Sequence, residues 1–221
     1  NFMFSVTQSV ENTGAGTVSL APYGILARHG EPQNLKNFFI LHEGVVAMSD
    51  GELTEIDYSD MPDFDINPNE GARAEVTQVA EQGWVGFTDQ YWMTTLIPAP
   101  GAFKSTAKYD DRRDIYQTEA VLPTQKLAPG ATASATTQLF AGAKEWATIR
   151  DYEKSGVEGF IDSIDWGWFF FLTTFRLLLP LSPTVLQHHQ TVEHYRPVTG
   201  RFAQHPQQLH RLPRHPLHRC D

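Results

Sequence analysis

The sequence predicts a mainly β protein, an antiparallel β-sandwich with short C-terminal helices. Three observations carry that expectation. Apolar residues recur at every second position in short runs, the runs are bounded by Gly, Pro, Asn or Asp, and no amphipathic helix of useful length separates them before about residue 143. A parallel sheet would need a crossover helix between successive strands, so the pattern favours antiparallel pairing in a sandwich.

The first run puts Phe2, Phe4, Val6 and Val10 on one side of an extended chain and Ser5, Thr7 and Ser9 on the other, the alternation of a half-buried strand. Glu11 to Gly16 reads as a turn, and residues 17–26, with Val18 and Leu20 two apart, read as its hairpin partner. Further strands are expected at 38–48, 52–58, 73–81, 84–97, 102–109, 114–121 and 131–141. Within 84–97, Trp84, Val85, Phe87, Tyr91 and Trp92 suggest a crowded strand near the sandwich centre. The sandwich is therefore assigned to residues 1–142, truncated at its N-terminal side.

The period changes after that. Trp146, Ile149 and Tyr152 recur at three-residue steps between Ala143 and Lys154, and Gly156 can stop the helix they imply. A second short helix is expected from Gly159 to Asp165, leading into Trp166-Gly-Trp-Phe-Phe-Phe-Leu172. Residues 143–172 thus form a helical junction, with Trp166, Trp168, Phe169, Phe170 and Phe171 as its membrane-interface candidates, because Trp is favoured where an apolar ring meets a polar headgroup layer. From Trp166 to Leu181 the run is interrupted by Arg176 and falls short of the ~20 residues that span a bilayer, so it is expected to lie on a membrane rather than cross one. Residues 173–221 have no period and hold seven of the nine His, which predicts disorder and matches what an out-of-frame reading of a GC-rich gene yields.

Composition excludes some functions. A formal net charge of −9 offers no basic footprint for nucleic acid. The single cysteine, Cys220, gives neither a disulfide framework nor a cysteine metal site. Asn1 opens the chain with no charged and apolar leader, which reads as an internal segment whose export signal or anchor lies upstream.

Catalytic and metal candidates are thin. His29 and His42 are the histidines of the patterned region, and an epimerase or metal site would need them beside Glu31 or Glu43; surface or hydrogen-bonded roles suit them better. Asp63-Phe-Asp-Ile-Asn-Pro-Asn-Glu-Gly71 alternates acids like a calcium loop, but Pro68 stands where an EF-hand requires Gly. No nucleophile elbow, phosphate loop or dinucleotide fingerprint is present. No enzyme activity, cofactor or metal is expected.

Several separated segments carry a family likeness. Gly83-Trp-Val-Gly-Phe-Thr-Asp-Gln-Tyr-Trp-Met-Thr-Thr-Leu-Ile-Pro98 resembles the signature of the periplasmic domain of YidC-type membrane protein insertases. Leu139-Phe-Ala-Gly-Ala-Lys-Glu-Trp146 is similar to that family's last strand entering its C-terminal helix, and Asp162-Ser-Ile-Asp-Trp-Gly-Trp-Phe169 to its junction with the membrane. Residues 6–13 and 21–28 fit the same domain, and the likeness ends near Thr173. The resemblance implies a supersandwich of the sugar-mutarotase kind without mutarotase catalytic residues, on the periplasmic side of the bacterial inner membrane. It also implies an insertase and chaperone function, with lipid, nascent membrane proteins and the Sec translocon as partners. Arg176 does not correspond to the arginine of the family's membrane groove. A carbohydrate-binding or mutarotase-like sandwich is the alternative, and it is weakened by the lack of any His between Gly44 and Gln187. A free secreted adhesin-type sandwich would not need the aromatic run.

Overall fold

Period-two alternation becomes thirteen strands among the described residues, which in this computed structural model are 2–32 and 42–164. They are β1 (Met3–Glu11), β2 (Val18–Leu20), β3 (Tyr23–His29), β4 (Gly44–Ser49), β5 (Glu52–Asp57), β6 (Ile66–Asn67) and β7 (Ala72–Val79). Then follow β8 (Gly83–Thr88), β9 (Trp92–Pro98), β10 (Phe103–Asp110), β11 (Ile115–Val121), β12 (Gln125–Leu127) and β13 (Thr132–Ala143). One helix, α1 (Trp146–Lys154), and 3-10 turns at Met61–Asp63 and Phe160–Ser163 complete the described chain.

The strands make a six-stranded sheet in the order β1-β13-β9-β8-β4-β5, a five-stranded sheet β3-β11-β10-β7-β6, and a ribbon of β12 with β2. Every pairing among them is antiparallel. Between the two larger sheets lies one core, built on Val45, Tyr58, Val85, Phe87, Leu96, Phe103, Tyr116 and Ala120. The opposite face of the six-stranded sheet carries a second core of Val46, Met48, Trp84, Met93, Ile97, Phe140, Ile149 and Phe160. Because neighbouring side chains point to opposite faces, β4 is buried on both sides and reads as the unbroken run Val45-Val-Ala-Met48 instead of alternating.

Four sequence expectations need correction. The stretch 84–97 is two strands, because the Asp89 N–H donates to the Trp92 carbonyl at 2.8 Å and closes a hairpin. Trp84 belongs to the second core under α1, not to the sandwich centre. The turn at Glu11–Gly16 does not make a hairpin: β1 pairs with β13, from Met3↔Phe140 to Glu11↔Thr132, while 17–26 divides at Pro22 into β2 and β3, which pair with β12 and β11. Buried Asn12 redirects the chain, its Nδ2 donating to the carbonyls of Gly16 (2.9 Å) and Leu127 (3.0 Å). The second helix is a single 3-10 turn.

β1 has the expected alternation but not the burial, since Phe4, Val6 and Val10 are 53%, 45% and 42% exposed. The reason is registry between layers. β3, the edge of the smaller sheet, rests on Leu96 of β9 and meets this face of β1 through Gln8, whose Nε2 donates to the Tyr23 carbonyl at 3.0 Å, which leaves these three side chains half-exposed.

Candidate functional site

The second core is where the segments that stand out in the sequence meet. Trp84 of β8 donates from Nε1 to the Glu158 carbonyl at 3.0 Å. Phe160 stands edge-on to Trp84 at 5.4 Å and to Phe140 of β13 at 5.3 Å, and Phe140 stands edge-on to Tyr152 of α1 at 5.9 Å. Ile149 closes the layer from the helix. Full burial of each large apolar side chain contributes ~1.5–3 kcal/mol, and each edge-on pair ~0.5–1.5 kcal/mol more. Through these contacts α1 is clamped flat against the six-stranded sheet.

Local chemistry then turns the chain back. The N–H of Ser155 donates to the carbonyls of Asp151 and Tyr152, at 3.1 and 3.0 Å, which ends α1. Gly159 takes φ +64°, the left-handed region that favours glycine, and the tip of the Met48 side chain packs where a Cβ would stand. The Ile161 N–H donates to Glu153 Oε2 at 2.7 Å, tying the returning segment to α1. Burial first, then the Glu153 carboxylate, holds the Asp162 carboxyl above its ordinary range. The described chain ends at Ile164, which packs on the second core. Trp166, Trp168, Phe169, Phe170 and Phe171, the expected interface residues, lie outside the described residues, as does the tail from 173.

The catalytic candidates do not converge. His29 is exposed on β3. His42 places Nδ1 2.8 Å from Asp57 Oδ1 and Nε2 2.8 Å from the Val45 carbonyl, a ring held between two structural acceptors. Glu43 Oε1 accepts the Gln90 N–H at 3.1 Å. Glu70, in the loop that alternates acids, accepts from Lys104 Nζ at 2.6 Å instead of facing an open loop. Among the described residues no group of three or more His, Cys, Asp or Glu could hold a metal ion, and no helix is long and apolar enough to cross a membrane.

A polar cluster that the sequence did not reveal lies at the side of the sandwich. Arg28 Nη1 bonds Asp89 Oδ2 at 3.1 Å and its guanidinium lies over the Tyr58 ring, whose hydroxyl donates to Asp89 Oδ1 at 3.3 Å. Burial, and then Asp89, push the Tyr58 phenol well above its usual value. These residues are 31 and 61 positions apart in the pairs that bond. No local motif could have announced them.

A two-layer antiparallel sandwich with α1 clamped to the outer face of its larger sheet defines a β-sandwich module. The family model of the YidC periplasmic domain matches residues 1–177, and the chain belongs to that family. It is 70% identical over 174 residues to the membrane protein insertase YidC of Ruegeria sp. (strain TM1040), covering 78% of this chain and 29% of that protein. The proteins of the same name from Ruegeria pomeroyi and Roseobacter denitrificans are 66% identical over 179 residues and 64% over 174, with the same coverage of each chain. The chain therefore spans under a third of the length of these relatives. Its region is the periplasmic side of an inner-membrane protein.

Proposed function

We propose that this domain serves a membrane protein insertase by fixing, against the outer face of its larger sheet, the segment that leads to the bilayer. The observation that carries the reading is the meeting of 83–98, 139–146 and 162–164 in one aromatic core. Beyond Ile164, Trp166, Trp168, Phe169, Phe170 and Phe171 are the lipid-interface residues of the reading, lying at the headgroup boundary where indole and phenyl rings gain most. Its partners are the inner-membrane lipid surface, nascent membrane proteins and components of the Sec translocon, and its work is to insert and help fold membrane proteins.

Complementation tests this in cells depleted of their own insertase. The full-length protein carrying Phe160→Ser, which loosens the clamp, is expected to insert a reporter membrane protein more slowly than the protein carrying Ile66→Ser on the distant β6, with both accumulating equally. Equal insertion by the two would overturn the reading. Co-purification with Sec components tests the partner separately, and its absence from membranes solubilised in mild detergent would remove Sec from the proposal.

A further inference from the structure

The folded domain carries exposed aromatic rings that its two cores do not use. Tyr91 and Trp92, adjacent at the β8–β9 hairpin, are 65% and 62% exposed. The hairpin is rigid: the Lys144 N–H donates to the Tyr91 carbonyl at 2.9 Å, and Trp92 pairs with Ala143 across β9 and β13. Two residues beyond Lys144, Trp146 is 37% exposed and stacked beneath the Arg150 guanidinium, 4.3 Å from its ring centroid. Tyr91 and Trp92 thus stand fixed and exposed at the hairpin end of the six-stranded sheet, and Trp146 with its guanidinium follows at the start of α1.

We propose that this end, led by Tyr91 and Trp92, is a second lipid-docking surface that seats the sandwich on the phospholipid headgroup layer. The occupant follows from location and chemistry. The domain belongs to an inner-membrane protein and lies on its periplasmic side, so the bilayer is the apolar phase permanently within reach. Tyrosine and tryptophan, each an apolar body with a polar tip, are the side chains that gain from that boundary. At the turn, Asp89 is ion-paired to Arg28, which lessens its repulsion from anionic headgroups, whereas Glu43 accepts the Gln90 N–H and keeps its charge. The inference rests on the periplasmic-side location and does not require residues 166–171 to bind lipid.

The test uses the 221-residue chain with vesicles of phosphatidylethanolamine and phosphatidylglycerol, partition being read by flotation. Y91S/W92S is compared with wild type, with a variant carrying Ser at the five aromatic positions of 166–171, and with the combination of both. Circular dichroism establishes that each is folded. The paired change at 91 and 92 is expected to weaken partition about tenfold, and the combination to abolish it. Loss only in the five-Ser variant overturns this inference and leaves the reading of 166–171 standing. Loss only in Y91S/W92S supports the inference and removes 166–171 from the interface. If no protein floats, both fail. I66S, which removes an equally exposed apolar side chain (68%) from the other sheet, is expected to float as wild type; a loss matching that of Y91S/W92S would mean general stickiness and overturn the inference.

Discussion

The indole N–H of Trp84 donates to the carbonyl of Glu158 across 3.0 Å, joining the middle of the larger sheet to the turn that brings the chain back beneath α1. Trp84 is 1% exposed and Phe160 stands edge-on to it, so one residue supplies both a buried surface and the partner of a buried carbonyl. Trp84→Ala should cost ~3–5 kcal/mol, the range for removing a buried large aromatic. Trp84→Phe should cost less, but should still leave the Glu158 carbonyl unpaired. Urea unfolding of both variants checks this, and a wild-type midpoint for Trp84→Ala would refute the clamp.

Asp50 gives a pH prediction. Its carboxylate accepts the N–H groups of Ala80 (2.7 Å), Glu81 (2.8 Å) and Gln82 (3.2 Å), linking the β4–β5 turn to the β7–β8 connection. The first two of these bonds hold its pKa below the ordinary carboxylate value. A depressed folded pKa contributes stability above the unfolded value and loses it as pH falls through the folded one. Wild type should therefore melt above Asp50→Asn at neutral pH, and the two melting points should converge below the ordinary carboxylate range. Parallel curves down to strong acid would contradict this.

Lys108 sits between Glu119 and Glu70 on the outer face of the smaller sheet, ion-paired to Glu119 and 3.8 Å from Glu70 Oε2. Glu119 is 7% exposed. Removing one partner of a buried pair costs ~3–5 kcal/mol because the other charge is stranded, and partial exposure here lowers the expectation to about 2–3 kcal/mol for Lys108→Ala. Lys108→Ala/Glu119→Gln should recover part of that loss. Denaturant titration of the single and double variants decides it, and an additive double variant would deny the coupling.

Gly86 is required by close approach. A Cβ there would lie 2.0 Å from the Thr94 carbonyl oxygen and 2.6 Å from Thr95 Cα, which are backbone atoms of the paired β9. Gly86→Ala should destabilise by ~3 kcal/mol or more, at or past the upper end of ordinary overpacking. Calorimetry giving a wild-type melting point would show that β8 and β9 can separate there without penalty.

The sequence by itself determined the antiparallel β class and many of the strands. Period two with turn residues at the boundaries marks β1, β7, β10 and β11 within a residue or two, because side-chain alternation is a local consequence of extended backbone. The change of period at Trp146, and the family likeness of 83–98 and 139–146, were equally legible. Tertiary structure alone decided which strands pair. Nothing local tells β1 to seek β13 some 130 residues later, since that pairing depends on long-range registry and on Asn12 bridging the carbonyls of its own turn and of Leu127 on β12. It also decided that Trp84 faces α1 and not the sandwich centre, because alternation gives two faces without saying what covers each. Phe4, Val6 and Val10 look like core in sequence and stand exposed, because burial is a property of the opposing layer, and that layer ends among the described residues at β3.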